Sequence, residues 1–97
     1  MTIFSNSTIV ATSAQVSTAL GEEIIILHTE RGVYFGLNGV GSLIWKQIQL
    51  PCRVEEIRDA IMREYEVSAD RCEQDLTNLL QELHQQDLVE IRDETAA

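Results

Sequence analysis

The apolar residues of this chain change their spacing near Asn38, and this change restricts the fold more than any other feature. Before Asn38, short runs rich in β-branched residues are typical of strands, and the clearest run covers residues 22–28. After Asn38, apolar residues recur every three or four positions, as they do on the buried face of a helix. Strands followed by helices predict an α+β fold.

The first half of the chain contains the predicted strands, which follow one another as a meander. They cover residues 8–12, 15–20, 22–28 and 33–37. The third strand carries Ile24 and Ile26 on one face and Ile25 and Leu27 on the other. We therefore expect this strand to be covered on both sides. Gly32 can adopt a positive φ angle, and this favours a hairpin loop of four or five residues before the last of these strands.

The second half predicts three amphipathic helices. Asn38 is a suitable N-cap for the first, and Pro51 marks its end. Ser68 is the predicted N-cap of the third helix. Residues 88–92 predict a short final strand. We expect one domain over residues 1–97, with its core at about residues 8–92.

The charge balance excludes several classes of partner. The formal net charge is −9, and the seven basic residues are scattered, so we expect no nucleic-acid binding. No apolar run approaches the roughly 20 residues of a membrane span. The first residues lack the basic and apolar regions of a signal peptide. These features predict a cytoplasmic protein that does not bind membranes.

The chain offers few residues for chemistry. The possible soft metal ligands are His28, Cys52, Cys72 and His84, and none of them forms a closely spaced pair. We expect the cysteines to be free, buried thiols, as is usual in the cytoplasm, although their spacing also permits a disulfide. We expect the histidines to lie at the surface or its boundary. Neither a phosphate-binding glycine motif nor a local nucleophile signature is present. The sequence therefore predicts no catalytic residues, no metal, no cofactor and no enzyme activity.

One ordered set of short motifs resembles the PqqD family of peptide chaperones. Its parts are the apolar residues 24–27, Gly32, Tyr34-Phe35, Leu37-Asn38 and Ile44-Trp45. Downstream parts follow at residues 54–57, 65–67, 75–76 and 80–83 and end at Leu88, so that the resemblance covers about residues 16–91. Two positions depart from the family pattern. Arg53 stands where Thr or Ser usually begins the second helix, and His28 stands where Asp often precedes the turn.

The resemblance implies both a fold and a function. The fold is winged helix-turn-helix-like, with a three-stranded antiparallel sheet followed by three helices. Proteins of this family are similar to the RiPP recognition elements, which bind the leader of a ribosomally made precursor peptide as an added strand. The implied partners are this leader and a leader peptidase, a cyclase or a radical modifying enzyme. The implied pathway is lasso-peptide or pyrroloquinoline quinone synthesis, and the acidic chain favours the first. Homodimer formation is left open.

Two stretches are the candidate leader-binding site. The edge strand comprises Val33, Tyr34, Phe35, Gly36 and Leu37. Alternation places its odd-numbered residues toward the core and its even-numbered residues on the other face. On the third helix, one stripe beside the core face comprises Arg71, Asp75, Asn78, Leu79 and Glu82. One alternative is that Tyr34 and Phe35 only fill the core, and this is favoured for Phe35. The other is that the helix stripe is only a solvated face.

Two other functions stay open from the sequence. The first is a DNA-binding winged helix. It is disfavoured because residues 70–87 carry five acidic residues and one Arg. The second is a structural subunit that activates an enzyme without contacting the leader.

Overall fold

The computed structural model describes residues 3–92, which form six strands and three helices. In chain order they are β1 Thr8–Ala11, β2 Gln15–Leu20, β3 Glu23–His28, β4 Tyr34–Leu37, α1 Val40–Gln47, β5 Cys52–Arg53, α2 Val54–Glu64, α3 Ala69–Gln85 and β6 Val89–Arg92. The predicted α+β class, the three helices and the final strand are confirmed. None of the helices within residues 3–92 has the length and apolar character needed to cross a bilayer.

The predicted three-stranded antiparallel sheet consists of β2, β3 and β4, joined by two hairpin turns. Gly21 lies in the first turn and Gly32 in the second, with φ angles of 65° and 68°. Glycine adopts this left-handed conformation without the steric cost that a Cβ atom brings. The N–H of Gly32 donates to the carbonyl of His28 at 2.9 Å, which closes the predicted four-residue loop. Together with the three helices, this sheet gives the winged-helix-like arrangement.

A second sheet was not predicted, and β1 belongs to it rather than to the meander. Its order is β5–β1–β6, so β1 pairs with strands from the middle and the end of the chain. The local pattern at β1 indicates an extended segment with Ile9 and Val10 buried. Which strand it pairs with depends on contacts remote in sequence, and a local pattern does not carry that information.

The expectation that β3 is covered on both sides is wrong. Ile24 and Ile26 are buried in the main core, with 6% and 0% of their surface exposed. Ile25 and Leu27 point to the opposite face and are only half-buried. The buried core cluster includes residues from all three helices and the first face of β3, but neither Ile25 nor Leu27. The outer face of this sheet is therefore largely apolar and open, with Glu23 at its end.

The first helix begins one residue later than predicted. Gly39, with a φ angle of 52°, is the N-cap in place of Asn38, and the carbonyl of Asn38 accepts the N–H of Gly41 at 3.0 Å. A Cβ atom on Gly41 would lie 3.1 Å from Cδ2 of Leu37. Glycine at this position thus lets α1 pack closely on the end of β4.

The two other helix starts follow the sequence. The hydroxyl of Ser68 accepts the N–H of Arg71 at 3.3 Å, which confirms Ser68 as the N-cap of α3. At α2 the N-cap is Arg53, which has no side-chain acceptor to offer. Its own N–H donates to the carboxylate of Glu56 at 3.0 Å. This half of a capping box offsets the departure from the family pattern at Arg53.

Candidate functional site

The strand β4 lies at an edge of its sheet, with only β3 beside it in the strand order. The N–H of His28 donates to the carbonyl of Val33 at 2.9 Å, so these opposed residues form a hydrogen-bonded pair. Because such pairs alternate along an antiparallel ladder, Phe35 and Leu37 direct their backbone groups toward β3. Tyr34 and Gly36 direct theirs toward the open edge. An extended peptide can form hydrogen bonds with these outward groups.

The side chains of this edge alternate as the sequence predicts. Leu37 is buried and Phe35 is half-buried against the core, so Phe35 contributes to the core. Tyr34 points to the opposite face and is 70% exposed, the largest such value for an aromatic side chain in residues 3–92. Val33 precedes the strand, is exposed and lies outside the core cluster, so its predicted place on the core face is wrong. The edge strand itself therefore carries no charged side chain, and the carboxylate of Glu23 lies beside Gly36 at the start of β3.

A cavity of about 430 Å³ lies between the start of α1 and one flank of α3. Two residues of the predicted helix stripe, Asp75 and Leu79, line it. Its other lining residues are Val40, Gly41, Ile44, Ile61, Tyr65, Glu66, Val67, Cys72 and Leu76. Most of these side chains are apolar, with carboxylates present at Glu66 and Asp75. A cavity of this composition is suited to an apolar side chain.

The other predicted site residues do not line this cavity. Arg71 and Glu82 are exposed on α3, and Nε of Arg71 lies 3.4 Å from Oδ2 of Asp75. Asn78 lines a different cavity, of about 320 Å³, together with Phe4. The predicted β4 residues line neither of these two cavities. They connect to the larger one through Leu37, which packs on Gly41 at its rim.

Several cavity residues were not among the predicted site residues. In the sequence, Val40 lies on the apolar stripe of the first helix and Tyr65 on that of the second, and spacing of this kind is equally typical of core residues. Val67 lies between α2 and α3 and belongs to neither stripe. An apolar residue directly before the N-cap Ser68 is the one local signal for it.

His28 is buried, with 1% of its surface exposed, which corrects the expectation that it lies at the surface or its boundary. Its Nδ1 accepts the N–H groups of Glu30 and Arg31, at 3.2 and 3.1 Å. This assigns the proton to Nε2, which lies 3.3 Å from the carboxylate of Asp87. The imidazole thus serves as an acceptor for the β3–β4 turn, at the position where the family pattern often has Asp.

Asp87 occupies a backbone position that usually takes glycine. Its φ angle is 59°, in the left-handed region. Its N–H donates to the carbonyl of His84 and that of Leu88 donates to Leu83, a Schellman motif that ends α3. A non-glycine residue here costs about 1 kcal/mol. The carboxylate contact with His28 gives a reason for aspartate at this position.

Replacing His28 tests its role as an acceptor. We expect His28→Leu to lower the free energy of unfolding by about 2–3 kcal/mol, because two N–H groups lose their acceptor. His28→Asn places a carbonyl oxygen near the position of Nδ1, and we expect it to cost less. Asn is smaller than Leu and fills the site less well, so side-chain size alone would predict a larger loss of stability for His28→Asn than for His28→Leu. Urea denaturation followed by circular dichroism measures both variants, and a smaller loss for Leu than for Asn would contradict the role.

Cys52 and Cys72 are free thiols. Burial raises the pKa of both thiols above the ordinary value, and the charge of Glu56 adds to the effect at Cys52. A raised pKa keeps a thiol protonated and poorly nucleophilic at neutral pH. Within residues 3–92, no three His, Cys, Asp or Glu side chains converge as metal ligands do.

Comparison with known proteins gives three further findings. A family model described as coenzyme PQQ synthesis protein D (PqqD) matches residues 23–89, more than half of the 97-residue chain. A solved structure of TbiB1 in complex with the TbiA(beta) leader peptide has 41% identity and a TM-score of 0.79, over 84% of this chain and 94% of that one. A lasso peptide synthetase B1 complexed with the leader peptide has 18% identity and a TM-score of 0.76, over 84% and 96%. At 18% identity, the likeness to the lasso peptide synthetase B1 concerns the fold alone.

No curated protein matches the chain significantly in sequence. The family match and the identity to TbiB1 each cover most of the chain. Both agree with the motifs between Ile24 and Trp45. The chain belongs to the PqqD family.

Proposed function

We propose that this protein binds the leader segment of a ribosomally made precursor peptide and presents it to the enzymes that modify the peptide. The observation that carries the proposal is the open edge of β4, where the backbone groups of Tyr34 and Gly36 face away from β3. TbiB1, which is 41% identical to this chain, was solved with a leader peptide. The leader adds to β4 as a fourth strand of the sheet.

Strand addition supplies affinity without much selectivity, because every peptide has the same backbone groups. Selectivity comes from side chains, and the cavity between α1 and α3 provides a place for one. Its volume of about 430 Å³ accommodates a large apolar side chain, and Leu79 lies at its wall. A leader with an apolar anchor residue beyond its β-paired segment therefore fits this surface best.

Charge contributes to the encounter more than to the final affinity. Glu66 and Asp75 line the cavity, and Glu82 is exposed further along α3. The net charge of −9 attracts basic groups of a leader and raises its association rate. Asp75 is already near Arg71, so a basic leader residue competes with an exposed ion pair that contributes little to stability.

The protein acts as a carrier and leaves the chemistry to its partners. In this proposal it works in the cytoplasm with a leader peptidase and a cyclase of a lasso-peptide pathway. The lasso assignment over pyrroloquinoline quinone synthesis rests on the acidic charge of the chain, and the likeness to a lasso peptide synthetase B1 concerns the fold.

Calorimetric titration with the leader of a precursor peptide encoded nearby tests the proposal. We expect micromolar or tighter binding, weakened about tenfold or more by Leu79→Ala, which removes part of the cavity wall, and by Tyr34→Ala at the edge. Gln85→Ala, at the exposed end of α3, is the matched control and should bind as the wild type does.

Titration with duplex DNA and co-purification with the peptidase separate the other functions. Binding to duplex DNA that weakens with salt, and no binding to the leader, would favour the winged-helix DNA-binding function. Co-purification with the peptidase without any leader binding would favour a structural subunit. Unchanged leader affinity in both variants, with the fold verified, would remove this groove from consideration.

A further inference from the structure

The strand β2, at the edge of the sheet opposite β4, lacks the protection that exposed edges usually carry. Natural proteins guard such edges with charged residues, proline or bulges. No charged residue and no proline precedes Glu22, although 24% of the whole chain is charged. The ladder between β2 and β3 is regular over all six residues from Gln15 to Leu20. This is an open and regular template for another strand.

The outward backbone groups of β2 follow from the pairing of β3. In β3, His28, Ile26 and Ile24 direct their backbone N–H and carbonyl groups toward β4. The residues between them therefore direct theirs toward β2. The N–H of Thr29 donates to the carbonyl of Ala14, in agreement with this alternation. Ser17 and Ala19, which oppose Ile26 and Ile24, therefore direct their N–H and carbonyl groups outward.

The side chains beside this edge also lack a cover. Val16 and Leu20, on the outer face, are 56% and 62% exposed. On the inner face, a shallow cavity of about 250 Å³ runs along the edge between β2 and α1. Its lining includes Ala19, Trp45 and Lys46. An added strand has space for its side chains on both faces of the sheet.

We propose that β2 pairs with β2 of a second copy of this chain about a two-fold axis. The two sheets then form one continuous six-stranded sheet. This inference goes beyond leader binding. It rests on the proposed function in one respect only, that β4 of each copy stays open to a leader.

Charge is the argument for a second copy as the partner. Two chains of net charge −9 repel each other over most of their surfaces. A two-fold axis places like residues close to one another, so like charges at such an interface are costly. The uncharged strand β2 avoids this cost. Its central residues Ser17 and Thr18 are of the kind that pair favourably across strands, and Val16 and Leu20 cover apolar surface of the other copy.

The molar mass in solution tests the proposal, measured by light scattering over a range of concentrations without leader. We expect twice the monomer mass at micromolar concentrations. Ala19→Pro removes an outward N–H and places a ring on the edge, which edge strands tolerate. It should weaken dimerisation about 100-fold. Ala19→Val keeps the N–H and is the matched control.

A second variant, Thr18→Glu, tests the same interface independently of whether Ala19→Pro folds. Thr18→Glu lies on the exposed outer face of β2 and adds a like charge near the axis, so it should also give a monomer. Circular dichroism verifies the fold of each variant. A wild type that stays monomeric at every concentration, or folded variants that stay dimeric, would overturn the proposal.

Leader titration separates this inference from the proposed function. Ala19→Pro alters only the β2 edge, so its affinity for leader per chain should equal that of the wild type. A stable wild-type dimer that binds no leader would contradict the proposed function alone. A monomer that binds leader would contradict this inference alone.

Discussion

Gly36→Pro is expected to abolish leader binding while the domain stays folded. Gly36 directs its N–H away from β3, so proline removes a group that the leader needs and nothing that β3 needs. The proline ring also occupies the space of the added strand. Loss of the hydrogen bonds at this point and the steric block together predict at least about 100-fold weaker binding. Calorimetric titration with the leader peptide measures the effect.

Gly36→Ala is the control for this variant. A Cβ atom at Gly36 would lie 3.7 Å from Cδ1 of Ile25, an ordinary contact distance, and the N–H remains. We expect alanine to bind leader within a factor of about three of the wild type, a change of well under 1 kcal/mol. Circular dichroism should show both variants folded. Equal binding by the proline variant would show that the leader does not pair with β4.

The sequence predicted the elements of this site because their signals are local. Alternating apolar residues placed Phe35 and Leu37 toward the core, and Gly32 marked the turn before them. The structure confirms these features. A stripe at helical spacing likewise placed Asp75 and Leu79 on one flank of α3, and both line the same cavity. The roles of these residues in binding stay predictions.

Features that depend on distant contacts could not be predicted in this way. His28 and Asp87 are 59 residues apart, and only the fold brings their side chains together. The two-residue strand β5 has no local strand signal and forms because β1 lies beside it. The open outer face of β3 is a similar case. Apolar residues on both faces indicate burial, but whether a covering layer exists depends on the rest of the chain or on a partner.

The largest buried side chain within residues 3–92 packs α1 on the sheet. Trp45 is the chain's single tryptophan, and 2% of its surface is exposed. Its indole N–H donates to the hydroxyl of Ser17 on β2 at 3.3 Å. The same helix begins at the rim of the larger cavity, where Val40 and Gly41 lie. Trp45 thus connects the sheet with the wall of the candidate site.

Trp45→Ala is expected to lower the free energy of unfolding by about 3–5 kcal/mol, because it leaves a large cavity in the core. Small domains are stable by only about 5–15 kcal/mol, so this loss would remove a large part of the stability of the domain. Trp45→Phe keeps an aromatic ring and should cost less, and Ser17→Ala should cost about 1 kcal/mol. Urea denaturation followed by circular dichroism measures all three, since the Trp45 variants lose the fluorophore. A loss for Trp45→Ala no larger than that for Ser17→Ala would mean that the ring contributes little to packing.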